Sequence, residues 1–406
     1  MLKKISIDRL RPGMYVHELC ADWMSHPFWR NQFLVKTRED VQRVREAGIR
    51  ELYIDTGRGL DDAVARTAEE VRVEVEHEML AAVTAEPVPL QKASLEEELG
   101  RARSVHAQAH KVVRGMMQDV RLGRAITLDN VEPVIEAVTG SILRNGSALL
   151  GLIGIKNKDD YTFLHSVSVC TLMIAFGRTL GLEGEALRQA GIGGLLHDVG
   201  KMKVPDAVLN KPGRLTEAEF ELIKRHPADG HAILLESSGV GAVPLDITLH
   251  HHERIDGSGY PDKLLGDEIS TMARMAAIVD VYDAITADRC YHKGMAPTEA
   301  LRKMWEWSSA HFDQRLLQAF MRCIGIYPIG SLVLLESGRL GVVIEQNEKS
   351  VLTPVVRVFF NTRSNGYIAP ENIDLARPPG AGDRIMSGES PEKWRVDPLK
   401  FMPVAA

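Results

Sequence analysis

The pattern of hydrophobic and polar positions divides this 406-residue chain into three regions. In residues 2–56, apolar and polar positions alternate in short runs, with one helical segment between them. From about residue 94 the apolar positions recur at helical spacing, and β-branched runs return beyond 326. Alternation is typical of strands, and a recurrence every three to four residues is typical of amphipathic helices. We therefore predict a mainly α fold, with a small α/β domain before the helices and a small β segment after them.

The first domain is predicted to combine strands with one short helix. Two alternating runs near its start predict a pair of strands, and a later strand is predicted at 50–55. Thr37 can cap a helix between them that stops at Gly48. Further on, AEPVP at 85–89 interrupts a helical charge pattern. We place the end of the N-terminal domain and its linker there, which gives residues 1–85.

The middle of the chain, 90–325, is predicted to be helical throughout. A capping-box pattern at 94–97 begins one long helix, and Asn130 is expected to cap another. A second capping box, at 216–219, begins a helix that we expect to end at His226, because proline disfavours helical geometry in the residue before it. This region is therefore the all-helical part of the fold.

Two consecutive predicted helices come just before the residues with the richest chemistry. Apolar spacing over 161–180 places His165 near the start of a buried helix, where a lone histidine is more often a hydrogen-bonded core residue than a ligand. The next helix, about 183–197, carries three glycines near its end. Glycine in a helix costs up to ~1 kcal/mol relative to alanine. Three together therefore indicate close approach of another backbone or of an ion site.

The segment 326–406 is predicted to be a small β subdomain. Its β-branched runs, at 331–336, 338–345 and 352–360, are separated by turn signals. We expect a small antiparallel barrel or sheet with a structural role. Beyond Pro378 the chain is rich in proline and glycine, which predicts a loosely packed tail.

Residue types that bind metals occur in five clusters. They are HDVGK at 197–201, HP at 226–227, HHE at 251–253, DGSGYP at 256–261 and DVYD at 280–283. Neutral imidazole and carboxylate are ligands for Zn, Mn, Fe, Co and Ni, and adjacent pairs favour a site that holds more than one ion. A single His-Asp pair is more often a hydrogen-bonded couple, but five clusters in order favour a metal site.

Composition and net charge argue against several classes of protein and site. The 45% hydrophobic and 26% charged residues are typical of a globular protein, and a net charge of −6 argues against binding a nucleic-acid polymer. Four scattered cysteines suggest neither a disulfide framework nor a thiolate zinc site. We expect no membrane span, and the N-terminus lacks the apolar stretch of a signal peptide, so a cytoplasmic location is the default expectation.

Taken together, the motifs resemble the HD-GYP family of metal-dependent phosphohydrolases, whose known members hydrolyse cyclic di-GMP. The resemblance covers about 160–310 and rests on HDVGK at 197–201, NKPGRLTEAE at 210–219, HP at 226–227, HHERIDGSGYP at 251–261 and DVYDAITADRCY at 280–291. Plain HD-domain proteins share the histidines and aspartates but lack the G-Y-P loop. The N-terminal domain looks like the small domain that precedes the catalytic domain in one subgroup, where it is a candidate site for signalling protein partners.

The resemblance implies two divalent transition metal ions, with Fe or Mn most favoured. Asp198 would bridge the two ions. The implied ligands are His165, His197, Asp198 and Asp280 for one ion, and His226, His251 and His252 for the other. Two ions would activate water near neutral pH and neutralise charge on a phosphate. Some family members carry a glutamate that helps to hold a third ion, but Tyr161 stands at that position, so we predict two ions.

The resemblance also implies the residues that contact substrate. Lys201 would contact the scissile phosphate, and Tyr260 and Arg289 match positions that line the nucleotide pocket. Glycines 257 and 259 would give the loop backbone unusual freedom. Asp283, one helical turn after Asp280, is grouped with these residues and could orient a ligand or the water. Cys290 and His292 depart from the family's usual proline and basic residue, which puts the contact at 292 in doubt.

These observations predict a cytoplasmic, metal-dependent cyclic di-GMP phosphodiesterase, with pGpG or GMP as its end product. An HD-type phosphohydrolase acting on another nucleotide is the nearer alternative. A non-catalytic module that binds cyclic di-GMP is the more distant one. The oligomeric state stays open.

Overall fold

A computed structural model describes residues 1–21, 32–83, 93–154, 161–211, 213, 215–287, 294–308, 310–347, 350–377 and 382–403, with the backbone alone at 161 and 162. The helices are α1 Arg38–Glu46, α2 Ala68–Val83, α3 Leu95–Arg121, α4 Glu132–Ile153, α5 Tyr161–Thr179, α6 Gly184–Leu196, α7 Asp206–Leu209, α8 Glu217–Ile223, α9 His226–Leu235, α10 Ala242–His250, α11 Thr271–Thr286, α12 Pro297–Trp307, α13 Gln314–Ile324 and α14 Pro391–Trp394. The strands are β1 Leu2–Ser6, β2 Tyr15–Leu19, β3 Phe33–Leu34, β4 Glu51–Asp55, β5 Arg66–Thr67, β6 Leu332–Leu335, β7 Arg339–Glu345, β8 Val355–Asn361, β9 Gly366–Asp374 and β10 Ile385–Gly388. The prediction of a mainly α protein with small sheets at both ends is confirmed.

The N-terminal domain is a sheet in the order β3-β2-β4-β1-β5, with α1 beside it. Thr37 begins α1 as predicted, since its hydroxyl accepts a hydrogen bond from the Asp40 amide at 3.3 Å. The predicted pair β1 and β2 do not hydrogen-bond to each other, because β4 lies between them and pairs antiparallel with both. The helix α1 brings the chain back to this central position, which buries Leu52 and Ile54 in the core.

The helical region begins at the predicted capping box, where the Ser94 hydroxyl accepts from the Glu97 amide. The prediction for Asn130 was wrong. This residue lies in a 3-10 turn, and α4 begins after Val131 without a side-chain cap. A kink at Asn145 (φ −158°, ψ 100°) divides α4.

The end of α8 also differs from the prediction. Its capping box is present, with Thr216 accepting from the Glu219 amide at 3.2 Å. However, α8 ends at Ile223, and His226 is the first residue of α9 rather than the last of α8. Pro227 favours this arrangement, because the first turn of a helix needs no hydrogen bond from its backbone nitrogen.

The three glycines of α6 allow close packing, as predicted. A Cβ at Gly191 would lie 2.9 Å from Ile174 on α5, and one at Gly194 would lie 3.1 Å from the Cα of Cys170 on the same helix. A Cβ at Gly193 would lie 2.4 Å from Ile247 on α10. Helix α6 therefore fits between α5 and α10, both of which carry metal-ligand types.

The C-terminal segment is an antiparallel sheet in the order β10-β6-β7-β8-β9. The prediction of a loosely packed tail beyond Pro378 was wrong for the described residues. Strand β10 pairs with β6, and the ring of Phe401 stacks on Phe359 at 3.9 Å. Among the described residues, the helices include none that is both long and apolar enough to cross a membrane.

Candidate metal centre

The metal-ligand types predicted from the sequence meet at one place inside the helical region. They are His165 on α5, His197 and Asp198 at the end of α6, His226 at the start of α9, His251 and His252 at the end of α10, and Asp280 on α11. All are buried except His252, which is partly exposed. Burying this many polar side chains is unfavourable unless each finds a partner.

One cluster consists of His165, His197 and Asp280, whose candidate ligand atoms all lie within 4.8 Å of one another. The Nε2 atoms of the two histidines are 3.2 Å apart, and His165 Nε2 is 2.9 Å from Asp280 Oδ1. Two nitrogens and a carboxylate oxygen thus converge on one point, which is a donor set that suits a transition metal ion.

A second cluster consists of His226, His251 and His252, whose ligand atoms satisfy the same 4.8 Å limit. His226 Nε2 and His251 Nε2 are 3.2 Å apart. This cluster is composed of imidazoles alone, so its negative charge has to come from a neighbour.

Asp198 lies between the two clusters and presents one carboxylate oxygen to each. Its Oδ2 is 3.4 Å from the Nε2 atoms of both His165 and His197. Its Oδ1 is 3.3 Å from His226 Nε2 and 3.9 Å from His251 Nε2. Although Oδ1 is buried, it accepts no hydrogen bond from the described residues. This geometry is the one expected of a carboxylate that bridges two cations.

Hydrogen bonds from Nδ1 to backbone carbonyls orient three of the histidines. The Nδ1 atoms of His197 and His226 lie 2.8 Å from the carbonyl oxygens of Gly194 and Ile223, and His251 Nδ1 lies 3.0 Å from that of Thr248. A carbonyl oxygen only accepts, so Nδ1 must carry a proton, and in the neutral form of each ring Nε2 offers its lone pair.

Lone pairs that face each other at 3.2 Å, as those of His226 and His251 do, repel unless a cation lies between them. The residues present therefore fit a bound metal.

Electrostatics also favour metal binding. Burial lowers the pKa of His226 to about 4 and holds the pKa values of His251 and His252 well below the usual range, so these rings are neutral at pH 7, as ligands must be. Burial opposes ionisation of Asp198, but Lys201 and the histidines keep its pKa well below normal.

The pKa of His197 is shifted in the opposite direction to those of His226, His251 and His252. The carboxylates of Asp198 and Asp280 outweigh burial and raise its pKa to about 10. A metal that binds at His197 must therefore displace a proton.

Lys201 stands beside Asp198, with its Nζ 2.5 Å from Oδ2. The helix does not persist through the motif, since α6 ends at Leu196 and a 3-10 helix follows over 199–203. In a 3-10 helix, residues three apart are aligned, which brings Lys201 over Asp198 rather than His197. Gly200 allows this turn to approach α9, because a Cβ there would lie 1.9 Å from the His226 carbonyl oxygen.

The loop that carries the G-Y-P sequence covers the second cluster. The Tyr260 ring stacks on the His252 ring, with centroids 4.8 Å apart. Gly257 has a φ of +76°, and a Cβ at Gly259 would lie 2.5 Å from the backbone of Glu253, so both positions require glycine. The buried Glu253 carboxylate accepts three backbone N–H groups, from 262, 263 and 264.

Some predicted residues lie elsewhere or outside the described part of the chain. The Asp283 carboxylate is buried and lies 2.7 Å from His165 Nδ1, so its geometry fits orientation of a ligand rather than contact with substrate. Arg289, Cys290 and His292 lie outside the described residues, as does the side chain of Tyr161.

Sequence reasoning missed the anchors of the loop. Glu253 was grouped with the metal-binding residue types, although its carboxylate accepts hydrogen bonds from the loop backbone. His250 had no assigned role, but its ring joins Asp246 (2.7 Å) on α10 to Asp262 (3.1 Å) in the loop. Glu253 and His250 adjoin the histidine pair and come shortly before the G-Y-P sequence, and this position was the one signal in the sequence that they could anchor the loop.

Two domain profiles match different parts of this chain. A profile of the HD domain matches residues 155–316, and a profile of a domain of unknown function (DUF3391) matches residues 2–131. The chain is 47% identical over 403 residues to the cyclic di-GMP phosphodiesterase PA4108 of Pseudomonas aeruginosa, and the match covers 99% of this chain and 95% of that protein.

Two further relatives match over shorter stretches. The cyclic di-GMP phosphodiesterase response regulator RpfG of Xanthomonas campestris is 39% identical, over 43% of this chain and 46% of its own length. The 3'3'-cGAMP-specific phosphodiesterase 1 of Vibrio cholerae is 37% identical, over 41% of this chain and 38% of its own length. With these matches, the paired histidine clusters and the G-Y-P loop, the chain belongs to the HD-GYP family of HD-domain proteins and carries a DUF3391 domain at its N-terminal end.

Proposed function

We propose that the protein is a metal-dependent phosphodiesterase that hydrolyses cyclic di-GMP, with the linear dinucleotide pGpG or GMP as its end product. The observation that carries this proposal is the position of Asp198, with one oxygen facing each histidine cluster. The relative that matches this chain almost from end to end is a cyclic di-GMP phosphodiesterase. This activity would lower the level of the second messenger.

We assign two divalent transition metal ions to the site, with Fe or Mn preferred. His165, His197 and Asp280 would hold one ion, the second cluster would hold the other, and Asp198 would contact both. Bound divalent ions would supply an activated water nucleophile and neutralise charge on the phosphate. The two carboxylates provide a ligand charge that only partly balances two divalent ions, and the excess positive charge suits an anionic substrate.

Lys201 adds a cation at the edge of the site. Its ammonium pairs with Asp198 Oδ2, and its side chain is largely buried. An ammonium in a poorly solvated position stabilises negative charge that develops on a phosphate oxygen. We assign Lys201 to the scissile phosphate, where it would act in the transition state more than in substrate binding.

The loop with Tyr260 supplies the pocket for the nucleotide. One face of the Tyr260 ring covers His252, and the ammonium of Lys224 lies 5.8 Å from the ring centroid. Gly257 and Gly259 permit the tight backbone that presents this ring. We assign these residues, together with Arg289, to contacts with the base and ribose.

These assignments give each part of the chain a separate role. Residues 90–325, with a core at 160–310, would carry catalysis, and 326–406 would be a structural subdomain. Residues 1–85 would form the N-terminal domain and linker, through which signalling protein partners could act. Cyclic di-GMP is the small-molecule partner in this proposal.

A second candidate substrate is another cyclic dinucleotide. The relative of Vibrio cholerae that is specific for 3'3'-cGAMP shares 37% identity with this chain over 166 residues. Both substrates present the same phosphodiester to the metals, so the base pocket has to distinguish them. The proposal favours cyclic di-GMP because the relative that covers the whole chain acts on it.

One assay distinguishes these possibilities. Purified protein loaded with Mn²⁺ or Fe²⁺ is incubated separately with cyclic di-GMP and with 3'3'-cGAMP, and the products are resolved by chromatography while metal content is measured. The Asp198→Ala variant is the control for contaminating activity. Turnover of cyclic di-GMP supports the proposal, turnover of 3'3'-cGAMP alone supports the second candidate, and binding without turnover would indicate a non-catalytic module.

A further inference from the structure

The N-terminal domain contacts the loop that carries Tyr260, which we define as the Tyr260 loop, residues 253–265. The contact is made by the turn between α1 and β4. The Arg50 guanidinium lies 3.0 Å from Asp256 Oδ2, and a Cβ on Gly48 would lie 3.4 Å from the Ser258 Cβ. The domain outside the metal centre thus reaches a loop that borders it.

Asp256 organises the first half of the Tyr260 loop from within. Its Oδ1 accepts hydrogen bonds from the Ser258 backbone amide at 2.9 Å and from the Ser258 hydroxyl at 2.6 Å. Its Oδ2 is turned toward Arg50, in a charge contact that lacks the alignment of a hydrogen bond. One carboxylate therefore joins the N-terminal domain to the backbone two residues before Tyr260.

Asp256 is far more buried than Arg50, and this difference determines how each side chain responds when the ion pair is lost. The Asp256 side chain is 4% exposed, whereas that of Arg50 is 58% exposed. A buried carboxylate needs a nearby cation, but an exposed arginine stays solvated without its partner. Removing Arg50 should therefore disturb the loop without disturbing the fold of its own domain.

The loop is tight enough to pass a displacement on to Tyr260. Gly259 packs against the Glu253 backbone, and the Tyr260 amide donates to the His252 carbonyl at 3.3 Å. The Tyr260 ring itself stacks on His252. Only Gly259 separates Ser258 from Tyr260, so a shift of the backbone at Ser258 would reach this ring.

We infer that Arg50 is a positioning residue for the Tyr260 loop, so that the N-terminal domain sets the substrate pocket through the Arg50–Asp256 contact. Arg50 does not touch the metal-ligand types and acts only through Asp256. The kinetic part of this inference rests on the proposed phosphodiesterase function, but the structural part does not.

The test compares Arg50→Ala with Arg45→Ala. Arg45 is the matched control, because it lies in the same domain, is 49% exposed and pairs with Asp8 at 2.9 Å rather than with the loop. The loss of an ion pair with one exposed partner changes an equilibrium constant by about two- to fivefold. Arg50→Ala should raise KM for cyclic di-GMP by that factor while kcat, metal content and melting temperature stay at wild-type values, and Arg50→Lys should restore KM in part.

Hydrogen–deuterium exchange supplies a readout that needs no substrate. The amides of the Tyr260 loop should exchange faster in Arg50→Ala than in Arg45→Ala or the wild type. Equal KM and equal exchange in the two alanine variants would overturn the inference, as would a joint fall in kcat and melting temperature in Arg50→Ala. If the wild-type protein hydrolyses no cyclic dinucleotide, the proposed function fails, and the exchange comparison still decides the role of Arg50.

Discussion

Replacing Asp198 with alanine should remove bound metal and activity together. The carboxylate lies 3.3–3.4 Å from the Nε2 atoms of His165, His197 and His226, so the substitution removes a ligand from both clusters. It also lowers the ligand charge from −2, carried by Asp198 and Asp280, to −1. Two unit charges 4 Å apart attract by about 4 kcal/mol at an effective dielectric constant of 20, which corresponds to about a thousandfold in affinity. We expect metal content to fall below one ion per chain and kcat to fall by at least the same fraction as the metal content.

The assay is metal analysis after dialysis, run in parallel with product chromatography. Glu253→Ala is the matched control, because Glu253 is also buried but its carboxylate accepts hydrogen bonds from backbone amides of the Tyr260 loop. It should keep its metal even though the loop is disturbed. Full metal content in Asp198→Ala would refute the bridging role, and loss of metal from both variants would show that unfolding, rather than ligand removal, is responsible.

Three further predictions concern other parts of the site. Lys201→Ala and Arg289→Ala should keep their metal but lose about 10²–10³-fold in kcat, since each would remove a charge aimed at the substrate; a wild-type rate in either variant would exclude its assigned role. Metal analysis should find two ions per chain, because a tyrosine at 161 is a poor ligand at neutral pH, and three equivalents after dialysis would contradict this. Gly200→Ala should destabilise the protein by about 1–3 kcal/mol in denaturant titrations and weaken metal binding, because its Cβ would meet the His226 carbonyl at 1.9 Å; unchanged metal affinity would show that α9 can move without its histidine.

Local sequence predicted much of the secondary structure. The capping boxes at 94–97 and 216–219 both form, and the glycines of α6 do allow close packing. A cap could be predicted because it depends on a few neighbouring residues, and the close packing could be predicted because several glycines in a helix are costly without such a reason. The ends of helices were predicted less accurately, as His226 shows. A proline is compatible both with the end of one helix and with the first turn of the next.

The identity and order of the metal-ligand types were also determined by the sequence alone. Repeated clusters of imidazole and carboxylate are typical of a metal site, and the G-Y-P loop narrowed the family. Which oxygen of Asp198 faces which cluster could not be read in this way. The two oxygens of Asp198 are equivalent in the sequence, and only the packing of α5, α6, α9 and α10 directs one to each histidine cluster.

Contacts between distant parts of the chain were decided by the tertiary structure. Asp283 was grouped with the substrate contacts and was also expected to orient a ligand or the water, but its partner, His165, lies 118 residues away and is brought to it because α11 packs against α5. Arg50 and Asp256 come from different domains, and no local pattern connects them. The sequence by itself determined the residue types, their order and most of the helices that carry them. The pairing of side chains across helices and domains required the fold, because long-range distances depend on how whole surfaces pack rather than on the spacing of residues along the chain.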